Sequence, residues 1–334
     1  MQGTLRDLSR GSLLGAFIGD AAGGVLEFGR HAPTADEIED ALRFPGGGMH
    51  ALAPGQITDD GELTICLARG LQETACSNEP TLEAVAREYY HWVTSRPFDI
   101  GNTTDMAMGA CTGNHEAQGQ CAQVMRAAAA DRCMRSKANG SLMRATPLAI
   151  WGHALPRGVL AEWARADSRL SHPNVACTDS VAAYVIAIAH LLNHPGDSSG
   201  AIATAKTWTD AHASQEVQSW LALALAGQPT ACTPQDGFAK IAFTHAFHHL
   251  HIGSNYSEAI RQTLAGGGDT DTNACIVGGL IGALHGAEAI PQAWRDAVLA
   301  CDTKKGQSRP PWLFASGADE HIDALLERAS ATQR

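Results

Sequence analysis

The chain has 334 residues, of which 45% are apolar, so it can bury a sizeable core in one large domain or two small ones. Its net charge of −11 repels phosphate backbones, so we expect neither nucleic acid nor an anionic membrane as a partner. Nine cysteines without a C-x-x-C pair favour free thiols, and the longest apolar stretches fall short of the roughly 20 residues that span a bilayer. We therefore predict a cytoplasmic protein, and a monomer.

Alanine and leucine dominate the composition, and long alternating runs of valine and isoleucine are absent, so we predict an all-α fold. The first helix is predicted from Leu5 to about Phe28, and its many small residues indicate close backbone packing. A long loop rich in glycine and proline is predicted from Arg30 to Gln56. Loops of that length inside a compact domain are usually functional or mobile.

A helix is predicted from Asp59, where Asp59 and Glu62 have the spacing of a capping box and apolar residues recur at helical intervals. The next helix ends near Thr94, and residues 98–103 form a turn into another helix. The remaining predicted helices cover residues 119–135, 157–168, 176–193, 199–212, 215–226, 236–251, 256–265, 271–286, 291–300 and 318–329. Since no linker, repeat or shift in composition divides the chain, we predict a single domain over residues 1–334.

The first segment with chemical potential is Thr58, Asp59 and Asp60, at the predicted start of a helix. Two adjacent carboxylates beside a hydroxyl present several hard oxygens in a small volume, and Mg²⁺ or Mn²⁺ prefers such ligands. An ordinary acidic helix cap explains the same residues, because negative charge at a helix N-terminus is favourable.

The second segment, residues 266–272, has three glycines followed by Asp269, Asp271 and Thr272. The glycines let the backbone approach a ligand closely, and the missing terminal glutamate excludes an EF-hand. A turn before a capped helix remains the alternative for this segment. If the two segments converge, their four carboxylates form a two-metal site, because like charges rarely share a site without a cation.

Three further features are less specific. Residues 139–144 form a small glycine-containing turn that can offer backbone N–H groups to phosphate, although it is not a P-loop. His245 and His249 stand at zinc-ligand spacing on a helix but lack the glutamate of H-E-x-x-H. Cys66 and Cys275 lie on apolar helix faces, where we expect core residues and not nucleophiles.

Taken together, the motifs resemble those of the ADP-ribosylglycohydrolases, and among them the bacterial dinitrogenase-reductase-activating type. The matching segments, in family order over about residues 10–290, are residues 15–23 with Glu27 and Phe28, and residues 54–60, 95–103, 139–144, 171–173 and 267–272. The paired acidic motifs at this spacing are the most specific part of the resemblance. One departure is Gly61, where relatives often carry threonine or serine.

The resemblance implies an orthogonal helix bundle with two Mg²⁺ or Mn²⁺ ions in a central cleft. The implied metal ligands are Thr58, Asp59, Asp60, Asp269, Asp271 and Thr272. The implied catalytic residues are Asp99, Glu27 and Asp60. The implied substrate contacts are Asn139, Gly140, Ser141, His172, Asn102 and Gly268.

The implied activity is removal of ADP-ribose from an ADP-ribosylated protein side chain. Asp99 favours the N-glycosidic bond to arginine, because a carboxylate near the leaving group suits a guanidinium. One alternative is an O-linked hydrolase that acts on ADP-ribosyl-serine or O-acetyl-ADP-ribose. Another is a non-catalytic ADP-ribose binder or structural paralogue, against which the four retained aspartates argue, since a binder has less need of so many clustered charges.

Overall fold

The computed structural model describes residues 3–29 and 31–331, and this part of the chain is helical and contains no β-strand, only two isolated backbone bridges. The α-helices are α1 (Leu5–Gly23), α2 (Ala35–Ala41), α3 (Asp59–Gln72), α4 (Glu83–Thr94), α5 (Asn102–Met108), α6 (Cys121–Arg132), α7 (Thr146–Trp151), α8 (Arg157–Ser168), α9 (Val175–Asn193), α10 (Ser198–His212), α11 (Gln215–Leu225), α12 (Ala239–Ile252), α13 (Tyr256–Ala265), α14 (Thr270–His285), α15 (Gln292–Leu299) and α16 (Ala318–Ala331). The predicted all-α class is confirmed.

Helices α1 and α14 form an antiparallel pair whose backbones touch. A Cβ atom on Gly15 would lie 2.3 Å from the carbonyl oxygen of Gly278, and one on Gly19 would lie 2.0 Å from that of Ala274. The contact continues to Gly23, where a Cβ would lie 2.4 Å from the Cα atom of Asp271. The small residues of α1 therefore allow close packing, as the sequence predicts, and they place its C-terminal end against the N-terminus of α14.

This contact predicts that Gly19→Ala destabilises the protein by about 3 kcal/mol or more, because the added methyl group meets backbone that cannot move aside. The measurement is urea unfolding followed by circular dichroism. The matched control is Gly158→Ala in α8, where a Cβ meets no atom of the described residues within 4 Å. That variant is expected to be neutral or stabilising by up to about 1 kcal/mol. Equal stability of the two variants would contradict the packing.

The hydrophobic core brings together most of the helices and includes the fully buried rings of Trp92, Trp151 and Trp163. Helix α9 runs through it and is long and apolar enough by composition to cross a membrane, yet 89% of its most apolar window is buried inside the protein. Cys66 and Cys275 are fully buried, as predicted.

The structure corrects two expectations for the first 60 residues. The first helix ends at Gly23 and not near Phe28, because Gly23 packs against α14 and the chain turns away there. The predicted long loop contains α2, which begins with a capping box formed by Thr34 and Glu37. Arg30, where that loop was predicted to start, lies outside the described residues.

The predicted capping box of Asp59 and Glu62 is wrong. Thr58 is the N-cap of α3, and its side chain makes no capping bond. Glu62 instead accepts hydrogen bonds from Trp92 Nε1 at 2.7 Å and from Arg309 Nε at 2.7 Å. Buried hydrogen bonds to a carboxylate, one of them from a guanidinium, are stronger than a capping bond to a backbone N–H, so Glu62 turns away from the helix start.

Candidate active site

A cavity of about 300 Å³ opens at the N-terminal ends of α3 and α14. Ten of the residues implied by the resemblance line it: Glu27, Asp59, Asp99, Asn102, Asn139, Gly140, His172, Asp269, Asp271 and Thr272. Thr58 and Asp60 are buried among the acidic residues of its floor, while Ser141 and Gly268 do not line it. The Ser141 hydroxyl instead accepts a hydrogen bond from Ser168.

The two acidic motifs, 211 residues apart between Thr58 and Asp269, are in contact. The Thr58 Oγ1 atom lies 3.4 Å from Asp271 Oδ2, and Thr272 Oγ1 lies 3.3 Å from Asp60 Oδ2. This convergence follows from the packing of α1 against α14, with α3 beside both helices.

Asp20, near the end of α1, belongs to the site and was given no role in the sequence analysis. Its carboxylate accepts hydrogen bonds from the Thr58 N–H at 3.0 Å, the Thr58 hydroxyl at 2.8 Å and the Gly61 N–H at 2.8 Å. Burial nevertheless raises the pKa of Asp20 to about 7. Asp20 thus fixes the start of α3, where Thr58, Asp59 and Asp60 stand.

Two overlapping groups of carboxylates have oxygens that lie within 4.8 Å of one another. One group comprises Asp20, Asp60 and Asp271, and the other comprises Glu27, Asp269 and Asp271. Burial, followed by repulsion from neighbouring carboxylates, raises the pKa of Asp60 and Asp271 well above the usual range. Such a cluster is unfavourable unless a cation or protons offset its charge.

The surroundings of Asp60 are the strongest evidence that this cluster fits a cation. Its Oδ1 atom is buried and has no hydrogen-bond partner among the described residues. A buried carboxylate oxygen without a donor costs free energy, which a divalent ion would recover. The available ligands are carboxylate and hydroxyl oxygens, the hard donors that Mg²⁺ and Mn²⁺ prefer.

Asp269 is positioned from the opposite wall of the cleft. Positive φ angles at Gly267 and Gly268 turn the chain into α14, as the three-glycine motif suggests. Asn139 Nδ2 then donates a hydrogen bond of 2.7 Å to Asp269 Oδ2. The Asn139 N–H donates to the carbonyl of Gly237, so the turn before α7 is joined to Asp269 and to the loop that precedes α12.

A third group, formed by Glu27, His50 and Asp99, lies at the rim of the cleft and shares Glu27 with the buried carboxylates. Burial raises the pKa of Glu27 to about 8, with further repulsion from Asp269 and Asp99. Burial also raises the pKa of Asp99, against the opposing influence of His50. His50 was missed in the sequence analysis, because a single histidine in a glycine-rich loop has no distinctive spacing.

His172 lies across the cleft and packs against Gly140. A Cβ atom on Gly140 would lie 2.8 Å from the Cε1 atom of His172, so a larger residue there would displace the imidazole. Behind them, the fully buried Arg144 donates to the Gly140 carbonyl at 3.0 Å and pairs with Asp167 at 3.1 Å. Arg144 also donates to the Ser171 hydroxyl, which contacts His172 Nδ1. Arg144 belongs to the motif at residues 139–144, but its contacts with Gly140 and Ser171 could not be predicted from the sequence.

Burial, aided by the charge of Arg144, lowers the pKa of His172 to about 3. A histidine whose folded pKa lies below its unfolded value stabilises the fold above about pH 6.5, and this stability is lost as pH falls toward 3. We expect His172 to account for a loss of about 2 kcal/mol between pH 7 and pH 5. Urea unfolding at both pH values should show a smaller loss for His172→Gln. The exposed His251→Gln is the control, and an unchanged loss in His172→Gln would contradict the assignment.

The histidines at zinc-ligand spacing are engaged elsewhere. His245 Nε2 lies 2.9 Å from the Thr230 carbonyl, and His249 Nδ1 lies 3.0 Å from the Ser254 hydroxyl. Within the described ranges, neither joins a group of three metal-ligating side chains.

The helical fold and the acidic cleft place the chain among all-α proteins whose site is built from helix N-termini. More specifically, the profile of the ADP-ribosylglycohydrolase family matches residues 1–329, and the chain belongs to this family. Over 293 residues it is 27% identical to the ADP-ribosyl-[dinitrogen reductase] glycohydrolase of Rhodospirillum rubrum. The aligned region covers 87% of this chain and 90% of that protein.

Two further proteins are similar to the chain over nearly its whole length. The ADP-ribosylarginine hydrolase Tri1 of Pseudomonas putida (strain GB-1) is 28% identical over 341 residues, covering 96% of this chain and 81% of that protein. A solved structure described as an ADP-ribosylglycohydrolase-related protein complex superposes with a TM-score of 0.74 at 22% identity. That match covers 97% of this chain and 99% of the other, and it supports the fold alone.

Proposed function

We propose that the protein is a metal-dependent hydrolase that releases ADP-ribose from ADP-ribosylated arginine side chains. The observation that carries the proposal is that Glu27 and Asp99 line the same cleft as carboxylates of both acidic motifs, with a Glu27 oxygen within 4.8 Å of oxygens of Asp269 and Asp271. The relatives in Rhodospirillum rubrum and Pseudomonas putida, named as hydrolases of ADP-ribosylated dinitrogen reductase and of ADP-ribosylarginine, favour the same activity.

We assign two Mg²⁺ or Mn²⁺ ions to the buried oxygens, with the ligands taken from Thr58, Asp59, Asp60, Asp269, Asp271 and Thr272. This assignment is supported by the Asp60 Oδ1 atom, which has no hydrogen-bond partner among the residues that the structure describes, and by the mutual repulsion of the carboxylates. Bound divalent ions supply orientation of hydroxyl groups and a lowered pKa of bound water. Asp20 acts on the motif from outside, since hydrogen bonds from Thr58 and Gly61 occupy its oxygens.

We assign the binding of the leaving group and the transfer of protons to Asp99 and Glu27. Cleavage of a glycosidic bond passes through a state with positive charge on the sugar, and it needs a base for water and an acid for the leaving group. Asp99 is placed to face the guanidinium, whose planar N–H groups match a carboxylate. Glu27 lies between Asp99 and the buried cluster, where its carboxyl group can hold or move a proton.

The opposite wall is assigned to the ADP-ribose. We place the diphosphate along Asn139 and Gly140, whose backbone is fixed by Arg144 and by the bridge to Gly237. His172 stays neutral above its lowered pKa, so it is suited to hydrogen bonding and van der Waals contact with the distal ribose and not to charge pairing.

The test is ADP-ribose release from arginine- and serine-ADP-ribosylated peptides, followed by chromatography with Mg²⁺, with Mn²⁺ and with excess chelator. We expect release from the arginine peptide that the chelator abolishes. Release from the serine peptide alone would replace the proposal with the O-linked alternative. If neither peptide is cleaved while ADP-ribose binds, the chain is a non-catalytic binder.

A further inference from the structure

His50 enters the cleft from a short, tightly closed loop. The N–H of Gly47 donates to the Leu52 carbonyl and the N–H of Leu52 to the Gly47 carbonyl, both at 2.8 Å. The side-chain amide of Gln307 donates to the carbonyl of His50 itself. The loop is therefore held at its base by its own backbone and at His50 by the C-terminal part of the chain.

The imidazole stands between the two carboxyl groups at the rim. Its Nε2 atom lies 3.2 Å from Glu27 Oε2 and 3.5 Å from Asp99 Oδ2. The ring also packs on Phe98, with centroids 5.9 Å apart, and its side chain is only 15% exposed. One ring nitrogen thus contacts both Glu27 and Asp99, the two residues that the proposed function assigns to proton transfer and to the leaving group.

A nitrogen between two carboxylates marks a place for a cationic N–H donor. His50 Nε2 and Glu27 Oε2 share one hydrogen bond, which forms with the proton on either atom. A guanidinium offers five N–H donors in one plane and would satisfy the same two oxygens better than one imidazole nitrogen. His50 and a substrate guanidinium therefore compete for Glu27 and Asp99.

We propose that His50 is a positioning and specificity-determining residue, which holds Glu27 and Asp99 at the spacing of a shared N–H donor and yields these oxygens to the guanidinium of the substrate. The proposal rests on the proposed function. It requires that removing the imidazole weakens turnover and at the same time strengthens guanidinium binding. A residue needed only for folding would not produce these opposite effects.

The experiment compares wild type, His50→Ala and His50→Gln, with the exposed His251→Ala as control. Methylguanidinium binding to the Mn²⁺-loaded proteins is measured by NMR titration, and kcat and KM are measured on the arginine peptide. For His50→Ala we expect methylguanidinium to bind about tenfold tighter, the scale of one hydrogen-bonded competitor. We also expect lower kcat together with lower KM, the signature of removed ground-state competition.

Added imidazole should restore kcat in His50→Ala and weaken its binding of methylguanidinium. The His50→Gln variant keeps an N–H donor, so it should bind methylguanidinium less tightly than His50→Ala. Equal methylguanidinium affinity in wild type and His50→Ala would overturn the proposal. Fewer bound Mn²⁺ ions in His50→Ala than in wild type would also overturn it, because His50 would then be a metal ligand. The binding measurement needs no turnover. If wild type fails to cleave the arginine peptide, the proposed function fails, while the affinities still decide the role of His50.

Discussion

Asp60→Asn is expected to lower ADP-ribose release roughly a thousandfold, because divalent ions supply several kcal/mol of transition-state stabilisation and each 1.36 kcal/mol is a factor of ten. The substitution preserves the shape of the side chain, and it removes the charge from the residue whose Oδ1 has no hydrogen-bond partner in the described part of the chain. Peptide cleavage in saturating Mn²⁺ is the measurement.

The same variant should remain folded, and without metal it should be more stable than wild type. Asp60 is buried among like charges that raise its pKa, so removing one charge relieves repulsion in the metal-free protein. The control is Asp131→Asn in α6, whose side chain is 81% exposed and which should match wild type in both measurements. Retained turnover, or a loss of stability without metal, would contradict the metal assignment.

Asp99→Asn is expected to lower kcat by about a hundredfold or more, the usual contribution of a positioned acid or base. The amide keeps the size of Asp99, but it neither pairs with a guanidinium nor moves a proton. Because the Asp99 side chain lies beside His50 and also interacts with Asp59, the Kd values for ADP-ribose and Mn²⁺ are measured as well, and kcat should stay low at saturating Mn²⁺.

The matched control for Asp99 is Asp105→Asn, an exposed acid in α5 outside the cleft lining. It should change kcat and both dissociation constants little, because exposed substitutions without a specific partner have small effects. A weakened Kd for Mn²⁺ in Asp99→Asn, with kcat restored by excess metal, would instead make Asp99 a metal ligand.

Much of the fold could be predicted from local patterns, because helices are set largely by residues three and four apart. The bounds predicted for the helix at residues 157–168 coincide with those of α8. Two of the errors arose where long-range contacts decide. Glu62 looks like a capping residue locally, yet Arg309, 247 residues away, and Trp92 take its carboxylate. Likewise, the first helix ends where α14 presses on Gly23.

The acidic motifs could be found from the sequence. Their convergence in space could not be predicted, because it depends on which helix packs against α1. Glycines at positions 15, 19 and 23 indicate close packing without naming α14. Asp20 was missed for the same reason, since a lone carboxylate in a small-residue helix gains significance only through its contact with Thr58. His50 required the Gly47–Leu52 loop closure, which no periodicity reveals.

The most direct test of the two-metal account is a calorimetric titration of the metal-free protein with Mn²⁺, because it counts the ions without assuming any substrate. We expect two ions per chain in wild type and a reduced number or much weaker binding in Asp60→Asn and Asp271→Asn, with Asp131→Asn unchanged. No saturable binding to wild type at millimolar Mn²⁺, or two ions bound with unaltered affinity in both cluster variants, would contradict it.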